Sequence, residues 1–102
     1  MKKKATPGSI TEDKLVLQLY VSGMSPKSVE AIQNIKKLCY EHIKDICNLE
    51  IIDIYKNPEL ASKHSIVFSP SLIKLSPAPK RILIGTLEDT EKVMKALGIN
   101  SI

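Results

Sequence analysis

Along this chain, short runs in which almost every residue is apolar take turns with longer stretches in which apolar residues recur every third or fourth position. Leu15-Val16-Leu17-Gln18-Leu19-Tyr20-Val21 is of the first kind. A short, nearly continuous apolar run bounded by Gly23 predicts a strand covered on both faces, hence a central strand with a parallel neighbour. The second kind follows at once. Val29, Ile32, Ile35 or Leu38, Cys39 and Ile43 keep helical spacing, with Glu30, Gln33, Asn34, Lys37 and Glu41 on the other side, which predicts a long amphipathic helix packed on the sheet. Its start is marked by Ser25, whose hydroxyl can accept from the orphan amides of the first turn, and by Pro26, which lacks the amide that the first helical position leaves unpaired.

Leu49-Glu50-Ile51-Ile52-Asp53-Ile54-Tyr55 is β-branched and apolar enough for a second strand. A right-handed crossover through the helix makes it parallel to the first. Asn57-Pro58-Glu59-Leu60-Ala61 repeats the cap-then-proline logic and predicts a short helix ending near His64. Ile66 to Leu75 enters a third strand through Pro70, Ser76-Pro77-Ala78-Pro79 makes a turn, and Arg81-Ile82-Leu83-Ile84-Gly85 gives a fourth strand. So short a connection makes the last two antiparallel. Thr86-Leu87-Glu88-Asp89 has capping-box form with acids in the first turn, and Val93, Met94 and Leu97 give a last helix its apolar face before Gly98. The predicted order is βαβαββα, an α/β fold with a mixed four-stranded sheet and no internal repeat.

Residues 1–13 have no hydrophobic period and contain Pro7, Gly8 and several polar groups, so they are expected to form a disordered basic arm ahead of one domain over 14–102. A chain of 102 residues, 43% hydrophobic and 25% charged, has material for one core and an ordinary soluble composition. No apolar run approaches the roughly 20 residues that cross a bilayer, and Met1 to Ser9 carries positive charge with no apolar stretch behind it. No membrane association and a cytoplasmic location are expected. The net charge of +4 raises nucleic-acid binding, but three of the basic residues lie in the arm and most others alternate with acids. Tyr20, Tyr40, Tyr55 and Phe68 form no spaced stacking platform, so no nucleic acid is expected. Cys39 and Cys47 form no Cys-x-x-Cys pair, and His42 and His64 stand alone. Neither a metal nor another cofactor is expected, and both cysteines read as buried or bystander thiols.

The element order is the thioredoxin-like plan, in which Val21-Ser22-Gly23-Met24-Ser25-Pro26-Lys27-Ser28 occupies the place of the redox loop. Ser25 and Ser28 stand at the two cysteine positions. A serine hydroxyl does not ionise near neutral pH and cannot replace a thiolate in disulfide exchange. Within this plan the chain resembles the circadian clock protein KaiB family over about residues 14–97. The resemblance is carried by LQLYVSGMSPKSVEAI, IIDIYKNPELA, SPSLIKLSPAPKRILIG and LEDTEKV. It implies a non-enzymatic regulator that binds the N-terminal ATPase domain of a KaiC-type P-loop ATPase and modulates its phosphorylation and ATPase cycle, in a circadian clock or a stress response. It also implies two folds: a thioredoxin-like one that binds the ATPase, and a tetrameric ground fold with a rearranged C-terminal half. Self-association as a dimer or tetramer is therefore a further expectation.

The contact surface implied by the family follows the first helix and second strand, which here offer Lys27, Glu30, Asn48, Glu50, Asp53, Tyr55, Lys56 and Asn57. Pro70, Pro77, Pro79, Ala96 and Gly98 are the positions expected to shape the fold or its switching, with Pro70 where thioredoxins carry a cis-proline. The chain departs from clock-type members at Glu50, where they carry a basic residue, in its arm of three lysines, and in ending at Asn100-Ser101-Ile102 rather than in an acidic tail. A partner outside the cyanobacterial clock is the expectation drawn from these differences. Two other classes fit the same element order: a thioredoxin-like adaptor or sensor module with a different protein partner, and an oxidoreductase built on Cys39 or Cys47, which the lack of a Cys-x-x-Cys pair disfavours.

Overall fold

The leucine-rich run at the start of the domain becomes the second strand from one edge of a four-stranded sheet. The computed structural model describes residues 15–43 and 46–99; the predicted arm at 1–13 lies outside them. The elements are β1 (Leu15–Val21), α1 (Pro26–His42), β2 (Cys47–Asp53), α2 (Pro58–Lys63), β3 (Ser71–Ser76), β4 (Arg81–Ile84) and α3 (Thr90–Leu97). Strand order is β2-β1-β3-β4. β1 runs parallel to β2 from Leu15↔Cys47 to Val21↔Asp53, β1 and β3 are antiparallel, and so are β3 and β4. This is the thioredoxin-like βαβαββα architecture.

Alternation along the central strands divides the core in two. On one face Leu15, Leu17, Leu19 and Leu72 meet Ala31, Ile35 and Leu38 of α1 and Val93, Met94 and Leu97 of α3. On the other, Tyr20, Ile52 and Ile73 are covered in part by Leu60 and Ala61 of α2. Each large apolar side chain buried in this way contributes about 1.5–3 kcal/mol relative to exposure. The face of α1 is rotated from the predicted one: Ser28, Ala31, Ile35 and Leu38 are buried, while Val29 and Ile32 are only half-buried. Small side chains at 28 and 31 let the helix approach the sheet closely, which the branched residues beside them would not.

Several boundaries move for tertiary reasons. β2 begins two residues before the predicted start and ends at Asp53, because β1 ends at its partner Val21. Ile54 and Tyr55 enter a turn closed by the Asn57 amide donating to the Asp53 carbonyl at 3.0 Å. β3 begins at Ser71, the first residue paired with both Tyr20 of β1 and Ile84 of β4; Pro70 ahead of it has no amide to donate, and its carbonyl accepts from the Gly85 amide at 3.0 Å. The cap of α3 is Asp89, whose carboxylate accepts from the Lys92 amide at 3.1 Å, not the predicted Thr86. Leu87 is instead driven into the core with φ 63, a left-handed conformation that costs an L-residue about 1–2 kcal/mol and is offset here by burial. The other signals hold: Ser25 accepts from the Ser28 amide, Pro26 opens α1, and Gly98 ends α3 at φ 78. Asn57 precedes α2 as predicted but makes no side-chain cap.

Candidate functional site

Two turns meet at the C-terminal end of β1 and β2, and their hydrogen bonds follow from the residues that end the strands. Asp53, last in β2, accepts from the Gly23 amide at 3.3 Å and from the Tyr55 amide at 2.9 Å. It therefore ties the β1–α1 loop to the β2–α2 turn. Asn57 donates from its side chain to the Asp53 carbonyl at 3.2 Å. The Tyr55 ring, 74% exposed, lies 3.9 Å from where a Cβ on Gly23 would stand. Gly23 itself has φ 60, a left-handed conformation that favours glycine, while the ring lies at ordinary contact distance and leaves room for a Cβ.

Behind this loop sits a serine network. The Ser28 Oγ, fully buried, accepts from the Ser22 amide at 3.1 Å and from the Ser25 hydroxyl at 2.8 Å, while the Ser28 amide donates to Ser25 Oγ at 3.3 Å. Ser25 and Ser28, expected at the dithiol positions of a thioredoxin, thus form a hydrogen-bonded pair that ties the loop to the start of α1.

The eight candidate contact residues fall into two groups. Lys27 and Glu30 on the first turns of α1, with Asp53, Tyr55, Lys56 and Asn57, gather around the loop end; Lys27, Glu30, Tyr55 and Lys56 are exposed, and Asp53 and Asn57 half-buried. Asn48 and Glu50 lie further back along β2, exposed, on the sheet face opposite α1. There Glu50 accepts from the Gln18 amide group at 3.2 Å, and Gln18 in turn accepts from the Tyr20 hydroxyl at 2.8 Å. Burial, and then the Glu50 charge, push the Tyr20 phenol above its ordinary value. Among the described residues β2 pairs only with β1, so its outer edge presents unpaired backbone groups, a template for an added strand.

The switch candidates are dispersed. Pro70 is buried before β3, and Pro77 and Pro79 are exposed in the β3–β4 turn; all three follow cis peptide bonds. Ala96 is half-buried on α3 and Gly98 is exposed at its end. Lys74, unremarked in the sequence, is buried, with its Nζ 3.5 Å from the Leu97 carbonyl. A cation at the C-terminal end of α3 complements the helix dipole and joins β3 to that helix.

Sequence reasoning also missed an apolar groove. Val67, Phe68, Ile82 and Ile84 are between 46% and 82% exposed and, with Ser65, Ile66 and Ser71, line a depression of about 300 Å³ beside β4. β4 carries three apolar residues in succession, Ile82 to Ile84, so each of its faces bears an apolar side chain, but whether α2 reaches over the face of Ile82 and Ile84 is decided only by packing. Lys63 and Lys80 flank His64 near this face, and burial and then the two ammonium charges, Lys80 first, hold the imidazole below its ordinary value.

Comparison with known proteins gives a consistent set of relatives. The KaiB domain family matches residues 18–99. The chain is 41% identical over 87 residues to the Circadian clock protein KaiB3 of Synechocystis sp., covering 85% of each chain. It is 40% identical over 91 residues to the Circadian clock oscillator protein KaiB of Microcystis aeruginosa, covering 89% of this chain and 88% of that one. Among solved structures, the N-terminal domain of Synechococcus elongatus SasA superposes with a TM-score of 0.72 at 24% identity over 99% of both chains. The thioredoxin Deadhead of Drosophila melanogaster superposes with a TM-score of 0.70 at 18% identity, over 86% of this chain and 82% of that one.

Proposed function

Because the chain belongs to the KaiB family, we propose that it is a non-enzymatic regulator that binds a KaiC-type P-loop ATPase and modulates its phosphorylation and ATPase cycle, in a clock or a stress response. The observation that carries this reading is the open β2 edge together with the charged and aromatic side chains at its end. Backbone pairing along such an edge supplies affinity, and the flanking Glu50, Tyr55 and Lys56 supply orientation and partner choice. Glu50 bears on which ATPase is bound, since clock-type members are expected to carry a basic residue there and a reversed charge repels the same partner surface. The Ser25–Ser28 pair supports a regulator over an oxidoreductase, because neither group ionises to a nucleophile near neutral pH.

A second reading, an adaptor or sensor module with another protein partner, is favoured by the end-to-end match to the SasA domain. Calorimetry with purified KaiC-type hexamers, clock and non-clock, separates the two. Under our reading one hexamer binds, Lys56→Glu weakens the complex at least tenfold, and Glu50→Lys shifts preference toward the clock hexamer. Asp53 is unsuitable for the test because its carboxylate holds two turns together. Binding that survives Lys56→Glu and Glu50→Lys but fails with Phe68→Ser moves the interface to the apolar groove. No binding to any hexamer overturns the proposal in favour of the adaptor.

A further inference from the structure

Cys39 and Cys47, expected to be buried or bystander thiols, meet: their sulfurs are 3.0 Å apart, Cys39 on the last turns of α1 and Cys47 opening β2. The fold brings them together because the connection from α1 returns directly to the edge of the sheet, where Cys47 pairs with Leu15. Each residue is half-buried at the margin of the main core, neither sealed inside it nor fully open to solvent. A disulfide has an S–S length of about 2.05 Å, so closing the bond needs an approach of only about 1 Å, within what side-chain rotation allows.

We propose that Cys39 and Cys47 are a redox-modification site that forms an intramolecular disulfide reversibly with low-molecular-weight disulfides such as oxidised glutathione. The Cys47 thiolate attacks one sulfur of the reagent, expelling one small thiolate and leaving a mixed disulfide on Cys47. Cys39 then loses its proton and attacks the Cys47 sulfur, releasing the second small thiol. Two protein thiols are oxidised, one reagent disulfide is reduced to two thiols, and the two protons pass to them. The hydrogen bond with Cys47, then burial, then the Cys47 charge push the Cys39 thiol above its ordinary value, the direction that suits Cys39 to the resolving step. Lying far along the chain from Ser25 and Ser28, the pair does not restore the redox loop. Its bond would fasten the end of α1 to the start of β2, directly ahead of Asn48 and the open strand edge.

The test uses the full chain in glutathione buffers of graded oxidation, quenched in acid, with cleavage after Lys44 to separate the two cysteines. We expect a monomer lighter by two hydrogens, a linked peptide pair joining Cys39 to Cys47, full reversal by dithiothreitol, and loss of alkylation at both sulfurs together. Cys39→Ser should accumulate glutathione on Cys47 as its main product, whereas in the wild type that adduct stays a minor species. Glutathione left on either cysteine as the main wild-type product, disulfide-linked dimers, or thiols that remain alkylatable at the most oxidising ratio would each overturn the proposal. The wild-type result decides it even if the serine variant fails to fold.

Discussion

The C-terminal end of α3 is where two substitutions should change which fold the free chain occupies. We propose that the free protein rests in the thioredoxin-like state, with the alternative KaiB ground fold a minor species. Replacing Ala96 by Gly costs the helix about 1 kcal/mol through backbone entropy. Gly98→Asp acts three ways. At φ 78 an L-residue pays about 1–2 kcal/mol, with Asp at the low end. A carboxylate at a helix C-terminus costs about 0.3–1 kcal/mol. Against these, a Cβ at 98 would stand 4.0 Å from the Lys74 Nζ, and an ion pair there returns about 1 kcal/mol. The double variant should therefore lose about 2 kcal/mol of helical preference, roughly a 30-fold shift in the ratio of the two folds. Backbone chemical shifts at Glu91 to Leu97 read the ratio directly. Helical values should dominate in the wild type and lose population in the Ala96→Gly, Gly98→Asp variant. In a Lys74→Met background Gly98→Asp alone should cost about 1 kcal/mol more than it does beside the lysine. Strand shifts in the wild type at these residues, or identical populations in wild type and double variant, would refute the reasoning.

Ser28→Ala strips the Ser22 amide and the Ser25 hydroxyl of their acceptor, so it should destabilise the chain by about 1–3 kcal/mol; a urea midpoint lowered by about 1 M records this, and an unchanged midpoint contradicts the network. His64 should titrate below its ordinary 6.5, from burial first and then Lys80 and Lys63, and Lys80→Ala should move it back toward that value in an NMR titration. Because the folded state holds the proton less tightly than the unfolded one, His64 contributes stability above pH 6.5 that is lost as the pH falls through the window just below it. In an insulin-reduction assay driven by dithiothreitol no turnover is expected, since Ser25 and Ser28 supply no thiolate; turnover that disappears in Cys47→Ser would give the Cys39–Cys47 pair a catalytic role instead.

Most of the element order was legible because its signals are local. A run of leucines with one glutamine predicts β1 from Leu15 to Val21, and the Ser25-Pro26 cap and Gly98 mark helix ends by their own conformational preferences. The KaiB-like sequence stretches were likewise readable without a fold. The strand ends were not, since a strand stops where its partner does: β2 ends at Asp53 opposite Val21, whatever the β-propensity of Ile54 and Tyr55. The candidate surface was legible as a set of residues but not as two groups, because alternation sends Asn48 and Glu50 to one face while Asp53 turns back to hold Gly23.

What the sequence by itself determined is the alphabet of elements, the absence of cysteines from the redox loop and the identity of the side chains at the strand edge. Tertiary structure alone decided which face of α1 is buried, that Lys74 lies beneath the end of α3, that Phe68 and Ile84 stay uncovered, and that two sulfurs eight positions apart touch. These are distances between elements, set by how closely helices and sheet pack, and no period or cap along a single segment encodes them.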